Sequence, residues 1–502
     1  NRIAEEALAS IRMKATLALA AFFDGANTRQ REAKLIEYRY WLERLGKDEK
    51  APVEIDKIVR GLTSDDRSII PFCWEIEFPE IFSKDKAGFD AIIANPPWGD
   101  LGTTYLKELW SLDCSHFLGR ITDLFHLFII KSAFRILKKS GAAGFILPDV
   151  ALYQTYGADL RKGLLEKFSS IEVCDVEDGI FRGVTRPCCI AVFKHRDPSR
   201  KLVRVFSVLT RENTGIPDSS IQATFSAEDL LNLPNNLIPT KNVEDIAFTT
   251  RLLSKVNPLE NLFDDDGIQR GASADKKEAF LPTEEDTKTY SIENEYLKPV
   301  LDSGSLITPF QIGNSDKQLI YTERGFDAEK APGIASFIKS HAKKITCKEV
   351  AQGKHSIFEL HRSRDKRIFE KENKIVGVIT SDRPRVAVDE LRRYALDGVY
   401  LFSTIEGVSP YFVAGVLNSD YFLKIYRALA QEEGRVMAQV KPTVLAKMPV
   451  PNPLVLTGEG LEIASNIEVN TRMLHQNPGD ATALISMNED LVEALYSYLL
   501  NS

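Results

Sequence analysis

The chain has 502 residues, 44% of them apolar and 27% charged, with a formal net charge of −7. That is an ordinary globular composition, long enough for two or three domains, and it excludes a disordered chain and a uniformly basic nucleic-acid coat. The six cysteines stand apart except for Cys188-Cys189, there is no CxxC pair, and no apolar run reaches the roughly 18 residues of a membrane span, so a cytoplasmic protein with reduced thiols, no metal and no membrane partner is expected.

Residues 1–65 carry apolar positions at helical spacing, as in Ile55, Ile58, Val59 and Leu62, which predicts two or three helices acting as a scaffold for the domain downstream. The run Phe89-Asp90-Ala91-Ile92-Ile93-Ala94 predicts a strand, and it ends abruptly in Asn95-Pro96-Pro97-Trp98-Gly99. Two prolines fix φ and remove two N–H donors, leaving the Asn95 side-chain oxygen and the Pro96 carbonyl as acceptors beside an indole face. Acceptors aimed at an exocyclic amine pull its nitrogen out of conjugation with the ring, so a base extruded into such a site becomes a nucleophile. A helix is expected over 123–139, a buried strand over 144–147 ending at Pro148-Asp149, a helix over 158–167, and strands over 171–176 and 188–194. Helix and strand in alternation suggest a doubly wound sheet, with ligands outside the carboxyl ends of its strands, where Asn95 sits. Beyond Pro198 the pattern is expected to loosen into polar loops broken by Pro217, Pro234 and Pro239, and the domain boundary is placed there. Basic residues dominate from His341 to Arg393, and Lys343, Lys344, Arg362, Arg364, Lys366 and Arg367 are candidates for phosphate contacts. From Gly458 two amphipathic helices are expected to close the chain.

Asn95-Pro96-Pro97-Trp98, with Phe89-Asp90 leading into it and the aromatic-rich segment from Phe72 to Phe82 upstream, resembles the (Asn/Asp/Ser)-Pro-Pro-(Tyr/Phe/Trp) motif of the gamma-class adenine-specific (N6) DNA methyltransferases of restriction-modification and phage-defence systems. The large type IIG-like methylases are the most similar. Residues 136–148 look like a later motif of that family, and residues 179–193 resemble its last, in which an aromatic, Phe181 here, packs against the target base. Downstream, Gly267-Ile268-Gln269-Arg270-Gly271-Ala272, Tyr296-Leu297-Lys298-Pro299-Val300-Leu301, Phe358-Glu359-Leu360-His361-Arg362 and Val416-Leu417-Asn418-Ser419-Asp420 look like pieces of a target-recognition domain in the expected order.

The resemblance implies an α/β fold: a partial Rossmann-like methyltransferase sheet over 66–198, preceded by a helical segment over 1–65 and followed by a mixed α+β target-recognition domain over 199–455 and C-terminal helices over 456–502. It implies methyl transfer from S-adenosylmethionine to the exocyclic amine of adenine in double-stranded DNA, with Asn95, Pro96, Pro97 and Trp98 catalytic, Phe181 in the base pocket, Phe72 and Asn95 towards the cofactor, and a nuclease or helicase module, fused or separate, as a compatible companion. The glycine-rich turn and the ribose-binding acid that grip the cofactor are not found. The nearest candidate, Gly141-Ala142-Ala143-Gly144, lies between a helix and a strand, the wrong way round for a strand-to-helix turn. The chain is therefore expected to be truncated on its amino side and to bind S-adenosylmethionine poorly. A non-catalytic DNA-recognition subunit that keeps the methyltransferase scaffold is the alternative; methylation of RNA or protein is a third.

Overall fold

A computed structural model describes residues 2–63, 69, 71–83, 87–99, 123–177, 180, 186–195, 199–210, 221–342, 347–432, 438–477 and 481–501. The chain forms two compact units, one from residues 1–115, 122–146 and 192–198, the other from residues 116–121, 147–191 and 199–502. Among the described residues no helix is long and apolar enough to cross a membrane.

In the first unit, helices α1 (Arg2–Asp24), α2 (Thr28–Glu43) and α3 (Ala51–Thr63) close around Leu17, Ala20, Ala21, Tyr38, Ile55 and Leu62. The Asn27 side chain accepts from the Gln30 N–H and so starts α2 by satisfying a helix-terminal donor. Arg12 of α1 donates to both carboxylate oxygens of Glu77 at 3.0 and 2.8 Å, which fastens the helices to the turn Trp74–Glu77. Strand β1 (Phe89–Ala94) runs parallel to β2 (Leu137–Pro148), with Ile93 opposite Gly144 and Ala94 opposite Phe145.

Between these strands the structure departs from the sequence-based expectation. The helix begins at Leu124, is α-helical only to Ile129, and continues as a π-helix over Ile130–Ile136; β2 then begins at Leu137, earlier than position 144. The cause lies at Gly141, where a Cβ would stand 3.0 Å from the carbonyl oxygens of both Phe89 and Asp90. A glycine inside a strand permits that close backbone approach, and the register shifts at the same place, between Phe89 and Ala91. Lys138-Lys139-Ser140 would suit a helix by composition, yet the β1 backbone needs partners along its length.

The second unit holds the helix Ala158–Lys167 and strands β3 (Ser170–Val176), β5 (Leu202–Leu209) and β6 (Ile221–Ser226), with β5 parallel to β3 and antiparallel to β6. Strand β4 (Cys188–Lys194) contributes residues to both units. The stretch expected to be polar loop therefore contains two strands. Val203 and Val205 are fully buried, and their alternation with Leu202 and Arg204 is the strand signal. Arg161, 1% exposed, donates five hydrogen bonds of 2.6–3.1 Å to the carbonyls of Ala151, Gln154, Asn235 and Asn236, satisfying loop backbone that would otherwise be buried unpaired.

Further along, β7 (Phe263–Arg270) pairs antiparallel with Val399–Thr404, which pairs with Lys374–Val378, which pairs with Val386–Asp389. Beside this sheet, β8 (Leu297–Leu301) pairs antiparallel with Gln318–Ile320 and parallel with Tyr394–Ala395. Phe280, Leu301, Ile334, Phe369, Val376 and Leu401 belong to one apolar cluster here. Gly271 has no room for a side chain: a Cβ would lie 2.2 Å from the Leu396 carbonyl oxygen. Helices Gly458–Gln476 and Ala481–Asn501 close the chain.

Candidate active site and nucleic-acid interface

The aromatic segment before β1 serves as its foundation. Trp74, Phe78 and Phe82 each lie with ring centroids 5.4–5.6 Å from Phe89, in edge-on geometry, an arrangement that fixes the start of the strand. Phe72, proposed to face a cofactor, packs edge-on to Trp74 at 4.9 Å and remains 58% exposed. At the other end of β1 the chain emerges as Asn95, exposed, then Pro96, buried, Pro97, exposed, and Trp98, half-buried. Ile93 stands two positions before Asn95, so the pleat places the two on one face. Ile93 is 91% exposed, which makes the surface beside the Asn95 amide apolar.

The motif leaves under restraint. The Asp123 carboxylate accepts the Gly99 N–H at 2.6 Å, and the Leu124 N–H donates to the Gly99 carbonyl at 2.9 Å. These two bonds tie Gly99 to the helix that begins at Leu124 and hold Trp98 between a strand end and a helix start. Asp123 thus positions the motif, a role no local pattern announced. The Trp98 indole Nε1–H is buried without a hydrogen-bond partner among the described residues, so the ring is held by its faces and edges. An exposed amide, a carbonyl from a buried proline and a half-buried indole together offer two acceptors and a stacking surface to a flat heterocycle that carries an amine.

A grip on an adenosyl cofactor would fall to glycines that let the backbone approach it. Gly141 is filled by the β1 backbone, and a Cβ on Gly144 would meet only the Val192 side chain, at 3.8 Å, in ordinary contact. Neither forms a cradle, and no glycine-rich turn leads from β1 or β2 into a helix among the described residues. The residues present do not fit S-adenosylmethionine beyond the acceptor side of the site. Phe181 lies outside the described residues, as do Lys343 and Lys344.

The remaining basic candidates separate by their partners. Arg367 is paired with Asp365 at 2.6 Å and Asp266 at 3.2 Å, and these carboxylates, Asp365 first, hold its charge more firmly than usual. Lys366 lies 3.9 Å from Glu323. Arg364, with a left-handed φ of +68°, behaves otherwise: burial first, then the neighbouring charges of Arg362 and Arg270, push its guanidinium below the ordinary arginine value. Arg270, Arg362 and Arg364 are therefore a like-charged group around the end of β7, although Arg362 also lies 3.6 Å from Glu349. Arg270 was not among the candidates read from the sequence. Elsewhere in the basic run several charges are paired: Lys374 and Arg393 both bind the buried Asp389, at 2.6 and 2.8 Å, and Arg383 binds Asp420 at 2.6 Å. No metal was expected from the sequence, yet Asp275, Cys347, His355 and His361 bring their ligand atoms within 4.8 Å of one another.

Comparison with known proteins agrees with this geometry. Residues 10–181 match the Eco57I restriction-modification methylase family, and residues 298–450 match the TaqI-like C-terminal specificity domain. The chain is 24% identical over 414 residues to the type II restriction enzyme and methyltransferase RM.Eco57I of Escherichia coli, covering 72% of this chain and 40% of that protein. It is 34% identical over 140 residues to the type II methyltransferase M.HincII of Haemophilus influenzae, covering 26% of each. Over 139 residues it is 32% identical to a Methanocaldococcus jannaschii protein described as a putative type II restriction enzyme and methyltransferase, covering 27% of this chain and 11% of that one. The chain thus spans well under half the length of these curated relatives. Its fold is similar to that of MmeI, a type IIL restriction-modification enzyme solved in complex with DNA, with a TM-score of 0.51 at 12% identity over 87% of this chain and 57% of that one. The chain is homologous to the type II restriction-modification methyltransferases, joining a segment of the Eco57I methylase family to a TaqI-like specificity domain.

Proposed function

We propose that this chain supplies the base pocket and DNA-reading part of a site-specific adenine-N6 DNA methyltransferase of a restriction-modification or phage-defence system, working in the cytoplasm with S-adenosylmethionine as methyl donor. The observation that carries the reading is the exposed Asn95 amide at the carboxyl end of β1, followed by a buried proline and a half-buried indole. An adenine extruded from the duplex stacks on Trp98, and its amine donates to the Asn95 side-chain oxygen and the Pro96 carbonyl. Those bonds favour a tetrahedral amine over a planar conjugated one and aim the nitrogen lone pair away from the acceptors. The protein contributes orientation and electrostatics; the cofactor, when bound, contributes an electrophilic methyl group. Arg270, Arg362 and Arg364 are proposed to contact phosphates, which position the duplex without reading its sequence.

The missing glycine cradle favours a second reading, a DNA-recognition piece that keeps the methyltransferase scaffold without turnover. Transfer of a labelled methyl group to duplex DNA, measured beside DNA affinity, separates the two. On the first reading Asn95→Ala lowers turnover by about 10²-fold or more while DNA binding stays near the parent value. Full turnover in Asn95→Ala overturns the assignment of Asn95, and DNA binding without any transfer, even when a complementary cofactor-binding part is supplied, favours the second reading.

A further inference from the structure

Asp275, Cys347, His355 and His361 sit within the segment that forms the four-stranded sheet and its neighbours, and three of their contacts have the dimensions of a coordination polyhedron. Cys347 Sγ is 3.8 Å from His355 Nε2, His355 Nε2 is 3.9 Å from Asp275 Oδ2, and His361 Nδ1 is 3.7 Å from Asp275 Oδ1. A tetrahedral zinc ion with bonds of about 2.0–2.3 Å sets its ligand atoms about 3.3–3.8 Å apart. These three contacts fall within about 0.1 Å of that range, and with all four ligand atoms within 4.8 Å of one another the widest pair has to close by about 1 Å at most.

The surroundings orient the rings for ligation. His355 Nδ1 lies 2.9 Å from the Ser356 carbonyl; as the donor there it leaves the Nε2 lone pair facing Cys347 and Asp275. His361 Nε2 lies 3.2 Å from a Glu349 carboxylate oxygen, which leaves Nδ1 facing Asp275. Each histidine thus has one nitrogen turned to the centre and the other tied to an oxygen acceptor, the outer-shell arrangement of metal-bound imidazoles. One thiolate and one carboxylate with two neutral imidazoles balance a divalent cation, so the complex carries no net charge in a place where His355 is buried. Sulfur and imidazole nitrogen select zinc over magnesium or calcium.

We propose that this cluster binds Zn²⁺ and that the ion is a structural staple of the specificity domain. It would join the loop at Asp275 to the segment from Cys347 to His361. That junction is already marked by a two-bond backbone bridge between Ser273 and Arg362, at 2.9 and 3.0 Å, so the ion fixes the segment bearing Arg362 and Arg364. The sequence held a partial signal: five residues separate His355 from His361, within the usual His-x₃₋₅-His spacing. Seven more residues separate Cys347 from His355, and Asp275 is distant in the chain, so only the fold assembles the set.

The test is elemental analysis of the full chain purified without chelator, followed by removal of metal and titration with Co²⁺. The expected result is about one zinc per chain, and a cobalt form with the intense visible bands of tetrahedral coordination and a near-ultraviolet thiolate charge-transfer band. Cys347→Ser should lose the charge-transfer band, and Cys347→Ser with His355→Ala should lose metal altogether, while Cys73→Ser keeps both. A chain that neither carries zinc nor shows tetrahedral cobalt bands overturns the proposal, and so does a charge-transfer band that survives in Cys347→Ser. The first of these is read on the unaltered protein, so it stands even if a variant fails to fold.

Discussion

Replacing Trp98 by phenylalanine deletes an indole N–H that is buried and has no hydrogen-bond partner among the described residues. A buried donor left unpaired costs about 1–3 kcal/mol. The smaller ring forfeits roughly 40 Å² of apolar burial, which at about 25 cal/mol per Å² is about 1 kcal/mol. The two effects oppose, so Trp98→Phe should leave stability within about 1 kcal/mol of the parent or raise it. Trp98→Ala removes the ring. At a half-buried position that should cost about half of the 3–5 kcal/mol seen for a fully buried aromatic, or about 2 kcal/mol, and it deletes a stacking surface worth about 1–3 kcal/mol to an extruded base. In affinity for that base this is roughly 5- to 150-fold. Urea denaturation measures the first quantity, and the fluorescence rise of 2-aminopurine placed at the target position of a duplex measures the second. An undiminished rise in Trp98→Ala would falsify the stacking role and make Trp98 a packing residue; a loss above about 2 kcal/mol in Trp98→Phe would show that the N–H does find a partner.

Replacing Arg270, Arg362 and Arg364 with glutamine should lower the slope of log affinity against log salt by about 0.9 per lost phosphate contact, whereas Arg367→Gln should leave it nearly unchanged because Asp365 and Asp266 already occupy that guanidinium; equal effects from both sets would refute the division. Lys374 and Asp389 face each other across the sheet with fully buried side chains, so Asp389→Ala should cost about 3–5 kcal/mol in a urea melt by stranding a buried ammonium, while Lys374→Met with Asp389→Leu recovers most of it; a double variant as unstable as the single one would count against this. Although burial opposes it, Lys374 and then Arg393 hold the Asp389 carboxyl below the ordinary aspartate value. Its contribution is therefore fully present above the unfolded-state value near ~3.9 and is lost as the pH falls through the lower folded value, so the difference between parent and Asp389→Ala should shrink only on acidification below about pH 4.

The Asn95-Pro96-Pro97-Trp98 segment was legible because its information is local. A strand, an amide, two prolines and an indole in succession restrict the backbone and expose acceptors whatever the rest of the chain does, and β1 begins and ends where the apolar run Phe89–Ala94 placed it. The helix Ala158–Lys167 and strand β4 were legible for the same reason. What local pattern could not carry was proximity. Lys138 and Lys139 became strand because Gly141 lets β2 press against β1. Arg367, Lys374 and Arg383 of the basic run became ion-paired because Asp266 and Asp420 come from outside the run and Asp389 faces Lys374 across a strand pair. The Asp123 clamp on Gly99 spans 24 residues, and Asp275 meets Cys347, His355 and His361 across a long stretch of chain. Backbone restriction and amphipathic period are properties of neighbours in sequence, whereas charge pairing and metal-like convergence depend on which distant groups packing brings within a few ångströms. The tertiary structure alone decides those.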